Sequence, residues 1–165
     1  MKAVFIIISL LTLSAFSQEK LMELTRSSGF VPPEMAFHSK CEIYGDWSML
    51  RNTKGATGEV ETKYNQTIYT NKLQDVNQVL AALTEASEGG IIKFPAPMDG
   101  PSSVYIGILE GEVFDKYIKI YSISGGGFGS KNNSPAVKDL MEFANVNCVF
   151  NPKPLDDSSD EIIVK

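Results

Sequence analysis

Few side chains in this sequence could perform acid–base or metal chemistry. His38 is the single histidine, so any imidazole base or ligand must come from it. No G-x-S-x-G elbow and no H-E-x-x-H helix accompany it. Zinc needs more histidines or free cysteines than the chain has, and an EF-hand loop is missing. We therefore assign no catalytic residue, metal or cofactor, and interpret His38 as a surface residue of a strand.

Carboxylate pairs keep an enzymatic alternative open. Glu110 with Glu112, or Asp46 with Asp99, could serve a glycosidase if folding brought the two groups close enough. A small extracellular hydrolase using such a pair or His38 is thus an alternative to a protein that only binds. The lack of a recognisable nucleophile favours the non-enzymatic reading.

A glycine run, Gly125-Gly126-Gly127-Phe128-Gly129, lies between a predicted strand and a predicted helix, where phosphate-binding loops occur. The sixth position of G-x-G-x-x-G is Ser130, however, and the Gly-Lys-Ser/Thr order of a P-loop is absent. We interpret the run as a flexible connector.

Cys41 and Cys148 are the two cysteines of the chain. No C-x-x-C redox motif is present, and an exported pair most simply forms one structural disulfide. The bond would close a loop of roughly 100 residues and stabilise the fold by about 4–5 kcal/mol in the chain-entropy model.

The start of the chain has the pattern of a signal peptide over residues 1–17. Lys2 precedes an apolar run over 3–13, and the small residues Ala15 and Ser17 fit a signal peptidase site. The run is shorter than the roughly 20 apolar residues of a membrane span. We expect a secreted or periplasmic protein that is not inserted in the membrane after cleavage.

The rest of the chain divides into one domain over 18–150 and a mobile acidic tail over 151–165. The last residues, 162–164, could add to a sheet edge. With a formal net charge of −5 and no basic run, the chain is a poor partner for nucleic acid. The partner we expect is a protein or another extracellular ligand, and the oligomeric state is left open.

Hydrophobic spacing predicts the elements of the domain. We expect a short helix over 19–28, a hairpin with its turn at Gly45-Asp46, and a third strand over 59–70. A helix over 72–88, with Asn71 as its cap, precedes a second hairpin of strands 103–109 and 116–124. There Ile118 and Ile120 face the core, and a last helix spans about 135–144.

These elements predict an α+β fold: an antiparallel sheet of hairpins, with the two main helices packed on one face and one disulfide.

Two surfaces are candidate ligand sites. In a two-residue turn Tyr44 lies opposite Trp47 and Glu42 opposite Met49, so Tyr44, Trp47 and Met49 share the face away from Cys41. That cluster would suit a contact surface unless a helix covers it and Trp47 belongs to the core, which is the more frequent outcome.

The second surface is a proline-rich loop over 95–102 that contains Met98 and Asp99. Such a loop is exposed yet stiff and could bind a partner at low entropic cost, although an ordinary strand connector is more frequent. The leading hypothesis is a non-enzymatic binding protein of the medium or periplasm, with an inhibitor as one form. A structural envelope component is a further alternative.

Overall fold

The computed structural model describes residues 19–46, 48–55, 57–64, 70–111, 114–148 and 162–164. In this part of the chain two α-helices and a nine-stranded antiparallel sheet form the fold, with one 3₁₀ turn at Pro33–Met35. The strands are β1 Lys20–Ser27, β2 His38–Tyr44, β3 Met49–Gly55, β4 Gly58–Tyr64, β5 Ile91–Met98, β6 Ser102–Leu109, β7 Lys116–Ile123, β8 Gly126–Asn132 and β9 Ile162–Val164. The helices are α1 Val76–Ser87 and α2 Ala136–Cys148.

The strand order is β5-β8-β7-β6-β1-β2-β3-β4-β9, so two meanders are joined through β1 and β6. Both helices pack on one face of the sheet, α1 on β6 and β7 and α2 on β1, β2 and β7. The predicted α+β class is therefore confirmed.

β1 takes the place of the helix predicted over 19–28, and that prediction is wrong. The spacing of Leu21 and Leu24 fits a helix, but Met22 and Leu24 also alternate with the half-buried Glu23. β1 pairs with β2 on one side and β6 on the other. Pairing with distant strands on both edges outweighs the local helical pattern.

The two main helices form in the segments that their apolar stripes predicted, but their first and last residues differ from the predicted ones. Asp75, not Asn71, caps α1, because its Oδ1 accepts a hydrogen bond from the backbone nitrogen of Gln78 over 2.9 Å. The Oγ of Ser134 accepts one from the backbone of Ala136 at the start of α2. The core beneath the helices contains Val79, Leu83, Leu140, Phe143, Ile43, Ile118 and Ile120.

The disulfide joins Cys41 in β2 to Cys148, the last residue of α2, as predicted. The two Cα atoms are 5.8 Å apart, and both side chains are buried. The bond therefore fastens a helix to the sheet across 107 residues of sequence. A structural disulfide of this kind is compatible with an oxidising compartment.

No helix among the described residues is long and apolar enough to cross a membrane. The predicted signal peptide over 1–17, and residues 151–161 of the predicted tail, lie outside the described residues. Ile162–Val164 forms β9 and pairs antiparallel with β4, so these residues add to a sheet edge, as their apolar sequence suggested.

Two segments expected to be loops are strands at one side of the sheet. Pro95 and Pro97 belong to β5, which ends the described sheet, and a missing N–H costs least on such an edge. The glycine run, expected to be a connector, forms β8. A Cβ on Gly129 would lie 2.4 Å from Cζ of Phe94, so only glycine lets that ring lie on the strand.

Candidate functional site

Three connections, counted here with the strand ends that flank them, meet at one end of the sheet. They are residues 28–37 between β1 and β2, residues 98–101 from the last residue of β5 to β6, and residues 124–128, which are the β7–β8 turn and the first three residues of β8. The register explains why they meet. Ser27 at the end of β1 lies opposite both His38 of β2 and Ser102 of β6. Ser103 in turn lies opposite Ile123 of β7. We call these three connections together the loop tip.

Backbone hydrogen bonds tie the three connections of the loop tip to one another. The nitrogen of Phe30 donates to the carbonyl oxygen of Asp99 over 3.1 Å, and the nitrogen of Asp99 donates to the carbonyl oxygen of Gly125 over 3.0 Å. Ser28 and Phe37 close the base of the first connection, with the Ser28 nitrogen bonded to the Phe37 oxygen at 3.0 Å. The loop tip is therefore built as one unit, although its parts are distant in sequence.

Close backbone approach and turn geometry fix the residue types at the centre of the loop tip. A Cβ on Gly29 would lie 2.3 Å from the carbonyl oxygen of Asp99, so glycine is required there. Asp99 has a φ of 60°, in the left-handed region that aspartate tolerates better than most residues. Gly127 has a φ of 84° and lies against the Met98 side chain.

Large apolar side chains project from this end of the molecule. Phe30 is 91% exposed, Met98 77%, Phe128 70% and Met35 65%. Val31 and Phe37 of the first connection are also exposed. Grouping of exposed apolar residues is unusual on a protein that contacts only water, and marks interaction surfaces.

Of the residues at this candidate site, the sequence singled out Met98 and Asp99 as ligand-binding residues. It also drew attention to the glycine run that contains Phe128, but as a connector, and it did not single out Phe30, Val31, Met35 or Phe37. Phe30 stands beside the pair Pro32-Pro33, and Phe128 stands in the glycine run. An exposed aromatic residue within a turn-rich segment was the available signal. It could not show that the three segments lie at the same end, because that depends on the strand order.

The hairpin that carries Tyr44 lies at the other end of the sheet. Lys20, at the start of β1, lies opposite Tyr44, whereas the loop tip is next to Ser27 at its end. At about 3.3 Å per residue the ends of β1 are about 23 Å apart. The two predicted ligand surfaces, Tyr44 to Met49 and the segment around Met98, therefore do not form one site.

The predicted register of this hairpin is wrong by one residue. Ile43, not Glu42, lies opposite Met49, because Tyr44 bonds to Ser48 and leaves three residues in the connection rather than two. Oδ1 of Asp46 accepts bonds from the backbone and hydroxyl of Ser48, which suits this longer turn.

The one-residue shift turns Met49 to the helix-covered face, where it is 1% exposed. Met49 is a core residue and is not part of an exposed surface. Trp47 lies outside the described residues, so its predicted role stays a prediction.

Tyr44 instead belongs to a charged network on the face opposite the helices. Its hydroxyl donates to Oε2 of Glu42 over 3.2 Å, and the Nζ atoms of Lys20 and Lys40 lie 2.8 and 2.9 Å from Oε1 of the same carboxylate. Both lysines also contact Glu23. Burial and the neighbouring Glu42 charge raise the pKa of Tyr44. These contacts are those of a cross-strand structural network.

The fold separates one of the proposed carboxylate pairs. Asp46 follows β2 at the far end of the sheet and Asp99 lies in the loop tip, so the two are too distant to share a glycosidic bond. Glu112 lies outside the described residues.

His38 is exposed, on the face of β2 opposite Cys41. Among the described residues no three His, Cys, Asp or Glu side chains are grouped as metal ligands.

No protein-family model matches the chain, and no curated protein and no solved structure is significantly similar to it.

Proposed function

We propose that this chain is a secreted or periplasmic binding protein that contacts a partner protein through the loop tip. The observation that carries the proposal is the exposure of large apolar side chains on connections that backbone hydrogen bonds hold together. The disulfide fits the compartment, since such bonds persist outside the reducing cytoplasm.

The chemistry of the loop tip favours a protein surface as its partner. Phenylalanine and methionine are enriched in the buried centres of protein interfaces. The charged residues of the three connections include Glu34 and Asp99, and the whole chain has a formal net charge of −5. An anionic membrane or a nucleic acid would be repelled by these charges.

The construction of the loop tip also favours binding. Connections that are already tied together lose little conformational entropy when they dock, so more of the apolar burial counts toward affinity. Projecting side chains such as Phe30 and Phe128 fit a recessed apolar surface on the partner. An inhibitor that occupies the cleft of an enzyme would use the loop tip in this way.

Affinity capture with two matched variants tests the proposal. Phe30→Ser with Phe128→Ser removes two projecting rings of the loop tip. Phe114→Ser with Tyr117→Ser removes two exposed rings at the opposite end of the sheet, where Leu109 pairs with Lys116. From the medium or envelope of the producing cells, we expect a protein captured by the wild type to be retained by the second variant and lost by the first. Equal capture by the two variants would contradict the proposal.

A further inference from the structure

A separate groove lies on the helix-covered side of the sheet, between α2 and the strands beyond it. It opens where the sheet extends past α2 to β8 and β5, and its volume is about 710 Å³. Cavities of this size hold small molecules. None of the residues that line it belongs to the loop tip.

The walls of the groove are mainly apolar. Ile92 of β5 and Tyr121 of β7 lie on the sheet side, and Val137, Met141 and Val146 lie on the α2 side. The Tyr121 ring packs at 5.8 Å between centroids against Phe94 and, edge to face, against Tyr105. The aromatic packing fixes this side of the groove in advance of binding.

The side-chain oxygen atoms of two asparagines at the groove each accept a hydrogen bond within the protein. Oδ1 of Asn145 accepts a bond from the Tyr105 hydroxyl over 2.7 Å, and Oδ1 of Asn133 accepts one from the backbone nitrogen of Gly90 over 2.8 Å. Each amide group therefore has its Nδ2 donor left to offer. A hydrogen-bond acceptor on a ligand can therefore be bound by these side chains.

The charged residues of the groove point to the same kind of ligand. Lys131 and Lys138 line it, against a single carboxylate from Glu142. Cations therefore outnumber the anion here, on a chain whose formal net charge is −5. The groove combines an apolar body with donors and positive charge at its edge.

We propose that the groove binds a small amphiphile with an apolar chain and a carboxylate head. The chain of the ligand lies along Ile92, Tyr121 and Met141. Its carboxylate accepts hydrogen bonds from the lysine ammonium groups and the free asparagine amides, as charge-assisted bonds of this type are strong.

Calorimetric titration of the purified protein with dodecanoate, below its micelle-forming concentration, tests the proposal. Ile91 and Ile92 provide a matched pair, because they are neighbours in β5 with similar exposure, 48% and 46%, and only Ile92 lines the groove. We expect saturable binding that Ile92→Asn weakens at least fivefold and Ile91→Asn leaves unchanged. Absence of saturable binding, or equal effects of the two substitutions, would overturn the proposal.

The head group is tested with a second matched pair. Lys131→Gln with Lys138→Gln should weaken dodecanoate binding, whereas Lys93→Gln with Lys119→Gln, at exposed positions outside the groove, should not. The cationic amphiphile dodecyltrimethylammonium should bind the wild type at least tenfold more weakly than dodecanoate. Equal affinity for the two amphiphiles would show that the groove does not select a carboxylate.

Discussion

The backbone nitrogen of Phe30 donates a hydrogen bond to the carbonyl oxygen of Asp99 over 3.1 Å, although 69 positions separate the two residues in the sequence. The bond can form because β1 and β6 are antiparallel neighbours in the sheet. Ser27, the last residue of β1, lies opposite Ser102, the first residue of β6. Asp99 is held on its other side by Gly125. The sheet thus brings three remote segments to one end and presents their apolar side chains together.

Gly29→Ala should disturb the loop tip at its centre. The new Cβ would lie 2.3 Å from the Asp99 carbonyl oxygen, which is backbone and cannot simply rotate away. We expect the free energy of unfolding to fall by about 1–3 kcal/mol in urea titrations. Gly55→Ala is the control, since the nearest atom to its Cβ is 4.0 Å away. Equal stability of the two variants would show that the approach of Gly29 to Asp99 is not tight.

The projecting rings should contribute little to folding. Phe30→Ser with Phe128→Ser replaces side chains that are mostly exposed. We therefore expect the free energy of unfolding, measured by thermal denaturation, to change by less than about 0.5 kcal/mol. A binding defect in this variant would then reflect lost contacts rather than a lost fold. A loss of several kcal/mol would mean that the rings are packed within the molecule, contrary to the exposed loop tip.

The disulfide should be a large contributor to stability. Replacing Cys41 and Cys148 by alanine removes a bond that links positions 107 residues apart. It also leaves a smaller side chain at each of two buried positions. We expect a loss of about 3–5 kcal/mol in the free energy of unfolding. Mass spectrometry before and after reduction provides the direct check, as the intact protein gains two hydrogens. An unchanged mass would contradict the bond.

Glu42 should make the free energy of unfolding depend on pH in the acid range. Burial acts to raise its pKa, but hydrogen bonds from Lys20 and Lys40 outweigh burial and hold the pKa below its ordinary value. A carboxyl group with a lowered pKa in the folded state stabilises the fold above its unfolded pKa of about 4.3 and loses that effect as the pH falls.

The matched substitution isolates this effect. We expect Glu42→Gln to unfold about 1 kcal/mol more easily than the wild type near neutral pH. The two proteins should converge as the pH falls through the lowered pKa of Glu42 in the folded state. Glu88→Gln, at an exposed position, should follow the wild-type curve throughout. A constant difference between Glu42→Gln and the wild type at every pH would exclude the charged network as its source.

The sequence was sufficient for the parts of the fold that depend on local pattern. Periodicity predicted α1, α2 and the β6–β7 hairpin with Ile118 in the core. The cysteine count and the predicted export gave the pairing of Cys41 with Cys148. The prediction from periodicity was wrong at β1. Its eight residues fit the apolar spacing of both a helix and a strand, and pairing with β2 and β6 determines that they form a strand.

The same limit explains what was missed at the candidate site. The side chain of Met98 could be singled out from its proline-rich surroundings, but its grouping with Phe30 and Phe128 depends on the order of the strands. The register of the β2–β3 hairpin depends on whether its turn has two residues or three. The extra residue shifts the register by one position and places Met49 in the core.

Site-specific photo-crosslinking tests the central claim most directly. A benzophenone amino acid replaces Phe30 in the loop tip or, as the control, Phe114, which is 85% exposed at the opposite end of the sheet. After irradiation in the medium or envelope of the producing cells, we expect an adduct of one defined mass from position 30. An excess of wild-type protein should suppress that adduct, and position 114 should give none. The same adducts from both positions, or none from position 30, would contradict binding through the loop tip.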